Sequence, residues 1–165
     1  MKIAVVSDEL YPVNSFVVQE LERLGHEVIL FGAIKSGTNE SWIEAGRSAA
    51  ESISRGDCEE GVFFCWTGTG ISIVANKIPG IRAALCTDEQ TAAGARQWNK
   101  ANVLALSNRL LTCDLAKEIL IAWFNTKMDE NSELAAKEIE AIEIDYASRS
   151  MSTTKPKPGI SILKG

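Results

Sequence analysis

Cys65 is followed at once by Trp66-Thr67-Gly68-Thr69-Gly70, a thiol joined to a glycine-rich turn. Glycines let backbone approach a ligand closely, and amides at a helix start attract negative charge. Such a turn can hold a phosphate, a carboxylate or the oxyanion of an enediolate. It has neither the G-x-x-x-x-G-K pattern of nucleotide triphosphatases nor a full G-x-G-x-x-G. A thiol placed there should have its thiolate stabilised by the amides and the helix dipole, and could serve as base or nucleophile. The plain alternatives are a tight structural turn and a small hydrophobe that ends a buried strand. A second candidate group, Asp8-Glu9, closes a β-rich run near the N-terminus, where it could equally begin a turn.

The elements that must position these groups alternate along the chain. Short β-rich runs at residues 2–7, 27–31, 61–65, 81–85 and 102–106 read as strands. Between them lie helical patterns. The first starts at Pro12, carries Val13, Phe16, Val17, Leu21 and Leu24 at helical spacing, and ends at Gly25. Others cover residues 42–53, 71–77, 89–98, 115–124 and 132–146, and residues 35–40 read as a polar loop. This alternation predicts a three-layer, doubly wound, Rossmann-like α/β domain over residues 1–147, with about five parallel strands and right-handed crossovers. Ligands of such sheets bind beyond the strand ends where the strand order reverses. With the first strand central, that crevice lies between strands one and three and brings Asp8-Glu9 to Cys65. Residues 148–165, with Lys155-Pro156-Lys157-Pro158, are expected to form a tail or an arm on a neighbour.

Composition narrows the function. The 165 residues carry 17 Lys and Arg against 22 Asp and Glu, a net charge of −5 that argues against a nucleic-acid partner. A hydrophobic share of 45% suits one soluble core, and no apolar run approaches the ~20 residues of a membrane span. Met1 leads straight into a strand rather than a signal peptide, so the expected location is the cytoplasm. Cys58, Cys65, Cys86 and Cys113 include no C-x-x-C pair and His26 stands alone, so free thiols and no metal site are expected. Thiol hydrolysis through Cys65 would want a histidine base, and His26 lies at the far end of the second strand.

Several motifs recur together: Asp8, Gly25-His26-Glu27-Val28, Cys65-x-Thr67-Gly68-x-Gly70, Ala75-Asn76-Lys77, Gly80-Ile81-Arg82-Ala83-Ala84, Asn99-x-x-Asn102-Val103-Leu104-Ala105 and Arg109. In this order and spacing the chain resembles the type B ribose-5-phosphate isomerases and the related galactose-6-phosphate isomerase subunits, over about residues 1–126. The resemblance implies an aldose–ketose isomerase without cofactor or metal, working through a cis-enediolate. It assigns proton transfer between C1 and C2 to Cys65. The enediolate oxygens go to the amides from Gly68 through Thr69 to Gly70, with help from Asn99. Ring opening and hydroxyl binding fall to Thr67 and Asp8, and Arg109 belongs to the substrate-binding set. It also implies a homodimer, or a dimer of dimers, in which each site borrows Trp98 and Asn99 from its partner.

The chain departs from that pattern at the phosphate. The family has histidine at Glu9 and Trp98, glycine at Trp66 and aspartate at Lys100. Where its last helix carries arginines, this chain offers only Lys137. A carboxylate at Glu9 would repel a phosphate dianion by on the order of a few kcal/mol in a partly dry site. Trp66 and Trp98 place indoles where they would pack on sugar C–H faces or shrink the pocket; filling of a decayed site or a dimer interface is the alternative. The expected activity is therefore the same isomerisation on a sugar or sugar phosphate other than ribose 5-phosphate, with a catalytically silent subunit or sugar-binding module that pairs with an active homologue as the alternative.

Overall fold

The structure is a computed structural model that describes residues 1–152. Five strands form one all-parallel sheet: β1 (Lys2–Ser7), β2 (Glu27–Gly32), β3 (Glu60–Cys65), β4 (Ala83–Leu85) and β5 (Val103–Ser107), in the order β2-β1-β3-β5-β4. The helices among the described residues are α1 (Pro12–Arg23), α2 (Ala33–Ser36), α3 (Trp42–Ser54), α4 (Thr69–Ala75), α5 (Glu89–Asn99), α6 (Cys113–Asn125) and α7 (Glu130–Ser152). None is long and apolar enough to cross a membrane.

The three inner strands are buried nearly throughout, while the edge strands β2 and β4 are only partly covered. This is why β1, β3 and β5 read as continuous apolar runs: both faces of a parallel sheet lie under helices. Ile3, Val5, Val62, Phe64, Leu104 and Leu106 pack toward α1, α5 and α6, which supply Leu21, Ala92 and Trp123. The alternate residues Ala4, Val6, Phe63, Cys65, Val103 and Ala105 face α3 and α4. Cys65 thus projects on the α3/α4 side, at the last position of its strand. The winding direction reverses between β1 and β3, where Ser7 stands opposite Phe64, as the doubly wound reading predicts.

The boundaries differ from the sequence reading for identifiable reasons. The expected loop at 35–40 begins as α2, which stops at Gly37 in the left-handed region. The expected strand at 81–85 shrinks to Ala83–Leu85, because Arg82 N–H donates to Asn102 Oδ1 at 2.8 Å and Ala83 N–H to Asn76 Oδ1 at 2.8 Å. The helix expected at 71–77 starts two residues earlier, at Thr69, and ends at Ala75. α6 begins at Cys113, capped by Thr112 Oγ1 accepting from Leu115 N–H. The last helix starts at Glu130, where Asp129 Oδ1 accepts from Asn131 and Ser132 N–H at 3.0 Å, and it continues to Ser152, into the stretch expected as a tail. Residues 153–165 of that expected tail lie outside the described residues.

At the end of the sheet away from Cys65, a buried ion pair joins three elements. Arg96 Nη2 lies 2.7 Å from Glu60 Oε1, and Trp123 Nε1–H donates to Glu60 Oε2 at 3.0 Å. Arg96 also donates to the Ala101 carbonyl at 2.6 Å and its guanidinium sits 4.9 Å from the Trp123 ring centre. A buried charge without its partner is far costlier than the pair itself is favourable. Arg96→Ala should therefore lower stability by about 3–5 kcal/mol in urea unfolding. The Glu60→Met/Arg96→Met double variant should lose much less; equal losses would mean that volume, not charge, is what matters there.

Candidate active site

β3 ends at Cys65, which is 5% exposed, and the chain turns through Trp66 and Thr67 into α4. Gly68 makes that turn possible. It adopts φ +76°, and a Cβ there would stand 2.5 Å from Leu85 Cδ1 and 2.9 Å from the Leu106 carbonyl carbon. The first main-chain bond of α4 runs from Ser72 N–H to the Gly68 carbonyl. The N–H groups of Thr69, Gly70 and Ile71 therefore have no acceptor inside the helix and are available to an oxyanion. Thr67 and Thr69 hydroxyls lie 2.6 Å apart at the mouth.

The exit of β5 fixes this turn from behind. Asn108 N–H donates to the Cys65 carbonyl at 3.0 Å, while Arg109 N–H at 3.1 Å and the Ser107 hydroxyl at 2.9 Å both donate to the Trp66 carbonyl. From the other side the end of β1 brings Asp8. The Glu40 N–H donates to the Asp8 carbonyl at 2.9 Å, which ties the loop before α3 to this strand end. Trp42, the first residue of α3, then lies over Gly70, with two indole carbons 3.1 Å from where a Cβ would sit. The result is a cleft of about 260 Å³ lined by Asp8, Trp42, Cys65, Trp66, Thr67, Thr69 and Gly70.

Two carboxylates occupy the β1 end differently. Asp8 is 9% exposed and its Oδ1 has no hydrogen-bond partner among the described residues. Burial pushes its carboxyl above the ordinary range; its own backbone N–H opposes the rise, and the neighbouring Glu9 charge adds to it. Glu9 accepts through Oε2 from the Tyr11 hydroxyl at 2.9 Å, and the Tyr11 ring lies 6.1 Å from that of Trp66. Burial first, and then this bond and the Glu9 charge, push the Tyr11 phenol up.

Asp8, Cys65, Trp66, Thr67, Thr69 and Gly70 are thus brought together, with Gly68 beneath them and Glu9 beside Asp8. The other expected site residues lie elsewhere in this chain. Trp98, 67% exposed, packs over Gly94 beside Asn99 and lines a separate hollow of about 600 Å³ with Leu85 and Gln90. Lys137 lines a pocket between α7 and the Gly80 turn, among Glu133, Glu140 and Glu143. Arg109 reaches the site through its backbone, and its side chain is exposed. Among the described residues no group of three or more His, Cys, Asp or Glu could hold a metal ion.

Sequence reading missed Trp42, treated only as a helix start, and the polar residues behind Asp8. Asn14 sits on the buried face of α1 beside Val13, Val17 and Leu21, at 1% exposure, and Asn108 at 6%. A lone polar side chain on the apolar stripe of α1 was the available signal.

The chain is similar to known proteins over most of its length. Residues 3–142 match the family model described as Ribose/Galactose Isomerase. The chain is similar to the D-erythrulose-4-phosphate isomerase of Pectobacterium atrosepticum, 34% identical over 130 residues covering 78% of this chain and 86% of that one. It is also similar to the galactose-6-phosphate isomerase subunit LacB of Clostridium acetobutylicum, 36% identical over 149 residues, 88% of this chain and 86% of that one. Among solved structures, the ribose-5-phosphate isomerase B of Clostridium thermocellum superposes with a TM-score of 0.81 at 37% identity, covering 88% of this chain and 99% of that one.

The burial of the Asp8 carboxyl has a consequence for stability. A carboxyl whose pKa is raised on folding costs nothing below its unfolded value, where both states are protonated. The cost grows as pH rises through the unfolded value and is complete above the folded one. Asp8→Asn should accordingly raise Tm at pH 8, with the gain fading toward pH 3, while lowering activity. Each 1 kcal/mol gained reads as roughly 2–4 °C for a chain of this size. An unchanged or lower Tm at pH 8 would show that the carboxylate has a partner in solution.

Proposed function

The chain belongs to the ribose/galactose isomerase family and is an aldose–ketose isomerase, and from that premise we propose that it works through a cis-enediolate on a small sugar without a phosphate dianion at the Glu9 end. One observation carries the reading: Cys65 shares its cleft with Asp8, Thr67 and the open amides of α4, and among the described residues of the chain no Lys, Arg or His lines it. The relatives named above act on sugar phosphates of different lengths. The frame therefore accepts different sugars, and the chemistry at the rim selects among them.

Asp8 and Thr67 open the sugar ring: the proton leaves the anomeric hydroxyl, the C1–ring-oxygen bond breaks, and the ring oxygen is protonated. The Cys65 thiolate then takes the C2 proton. The C2–H electrons form the C1–C2 double bond, and the former carbonyl oxygen carries the negative charge toward the amides of Thr69, Gly70 and Ile71. A proton passes from O2 to O1, and the Cys65 thiol returns its proton to C1 as the ketose carbonyl forms at C2. Glu9, held by Tyr11, disfavours a dianion at the rim, and Trp42 and Trp66 offer indole faces to sugar C–H groups.

Trp98 and Asn99 lie outside the cleft of their own chain, which supports a site completed by a second copy in a homodimer. The same observation favours one other reading, a chain that needs an active homologue as partner, since one relative is itself named as a subunit.

The test is proton–deuterium exchange in D₂O, followed by NMR, over free pentoses, tetroses, hexoses and uronic acids beside ribose 5-phosphate and the hexose 6-phosphates. Exchange at C2 is expected with an unphosphorylated or carboxylated sugar, with indifference to added inorganic phosphate. Cys65→Ala should reduce it by about 10²–10⁴-fold without loss of folding. Retained exchange in that variant would move the base elsewhere, Glu9 first. Silence of the wild type across the panel would turn the assignment to the silent subunit.

A further inference from the structure

Behind the β1 end, three buried polar side chains form a continuous chain of hydrogen bonds. Tyr11 N–H donates to Asn14 Oδ1 at 2.8 Å, and Asn14 Nδ2–H donates to Asn108 Oδ1 at 2.8 Å. Asn108 Nδ2–H donates to Ser7 Oγ at 3.0 Å, and the Ser7 hydroxyl donates to the Glu9 carbonyl. Ser7, Asn14 and Asn108 are 0%, 1% and 6% exposed. The bonds run in one direction from Tyr11 to Glu9, so the two amides have a single consistent orientation. The chain starts on Tyr11 and ends on Glu9, and therefore grips both ends of the turn that carries Asp8.

Packing alone does not ask for such residues. Asn14 and Asn108 stand beside the apolar cluster of α1, α5 and α6, where apolar side chains would fill the space without desolvating polar groups. A fully satisfied buried network fixes one geometry instead of several. Here the residues held are Ser7, Glu9 and Tyr11, which flank Asp8 in the chain. Asn108 divides its two functions between backbone and side chain: its N–H holds the Cys65 carbonyl, and its amide reaches toward Ser7. Loss of the side chain would free the Asp8 turn and leave the backbone clamp on Cys65 in place.

We propose that Asn14, Asn108 and Ser7 are positioning residues that hold Asp8 for ring opening, separately from the placement of Cys65 for proton transfer. The inference rests on the isomerase reading above, in which Asp8 moves the proton from the anomeric hydroxyl to the ring oxygen. It follows that damage to the relay falls on sugars that must be opened and spares those that cannot close. A ketotetrose such as erythrulose has no hydroxyl able to form a five-membered ring with its C2 carbonyl, so its C1 proton exchange needs no ring opening.

The experiment compares the wild type with Asn14→Ala, Asn108→Ala and Ser7→Ala, the last removing a single oxygen in case the amide variants fail to fold. Two readouts need no substrate: the pH titration of the Asp8 carboxyl by ¹³C NMR, and the rate of Cys65 alkylation by iodoacetamide. The relay variants should bring the Asp8 titration midpoint down toward the ordinary carboxylate range, with alkylation within about twofold of wild type. Equal disturbance of both, or of neither, would overturn the positioning. With substrate, C2 exchange of the cyclic pentose that serves the wild type should fall at least tenfold, mainly in kcat, while C1 exchange of erythrulose changes less than threefold. A parallel loss on both sugars would overturn the assignment to ring opening. If the substrate-free readouts separate as expected and the wild type exchanges no sugar, the relay stands and the isomerase reading fails.

Discussion

β1, β3 and β5 end side by side above the sheet, and the backbone groups they leave there must find partners without another strand to supply them. That need organises the site. The exit of β5 satisfies the carbonyls of Cys65 and Trp66, and the loop before α3 satisfies the carbonyl of Asp8. Because main-chain bonds and the buried amides behind them set the positions, the Asp8 carboxyl keeps an oxygen, Oδ1, without a partner among the described residues. Reactive side chains held by their backbones, with their own polar atoms unspent, are what a proton-transfer site requires.

The two ends of the sheet solve opposite problems. At the Glu60 end a buried charge is fully paired, by Arg96 and by the Trp123 indole N–H, and the strand starts are fixed against α5 and α6. At the Cys65 end one oxygen of the Asp8 carboxyl is buried without a hydrogen-bond partner among the described residues, and Trp66 and Trp42 stand half in solvent. Unsatisfied polar atoms and exposed indoles are destabilising in an empty cleft and favourable once a polyol covers them. A buried carboxyl oxygen and two half-exposed indoles meet at this one strand-end crevice, while the charge of Glu60 is paired at the opposite end.

The layered α/β fold is legible in the sequence because its inner strands are buried on both faces and read as uninterrupted apolar runs. The meeting of Asp8 with Cys65 follows from the same rule, once the strand order reverses between β1 and β3. Element ends are less legible. Asn76 and Asn102 shorten β4 by capturing N–H groups from afar, and no local pattern announces a bond across 7 or 20 residues. Trp42 was invisible as a site residue for a similar reason, since its place over Gly70 depends on the Glu40–Asp8 main-chain bond. Trp98, Asn99 and Lys137 line other hollows within one chain, and strand order alone gives no reason to connect them with Cys65.

The central claim is that the rim at Glu9 selects against a phosphate dianion while Cys65 chemistry is retained. The most direct measurement is the ratio of kcat/KM for a pentose and its 5-phosphate, in the wild type and in Glu9→Gln. The account predicts a ratio favouring the free sugar in the wild type. Loss of the Glu9 charge should move it toward the ester by about tenfold for each 1.4 kcal/mol of repulsion removed. A wild type that prefers the ester, with Glu9→Gln leaving the ratio unchanged, would contradict it.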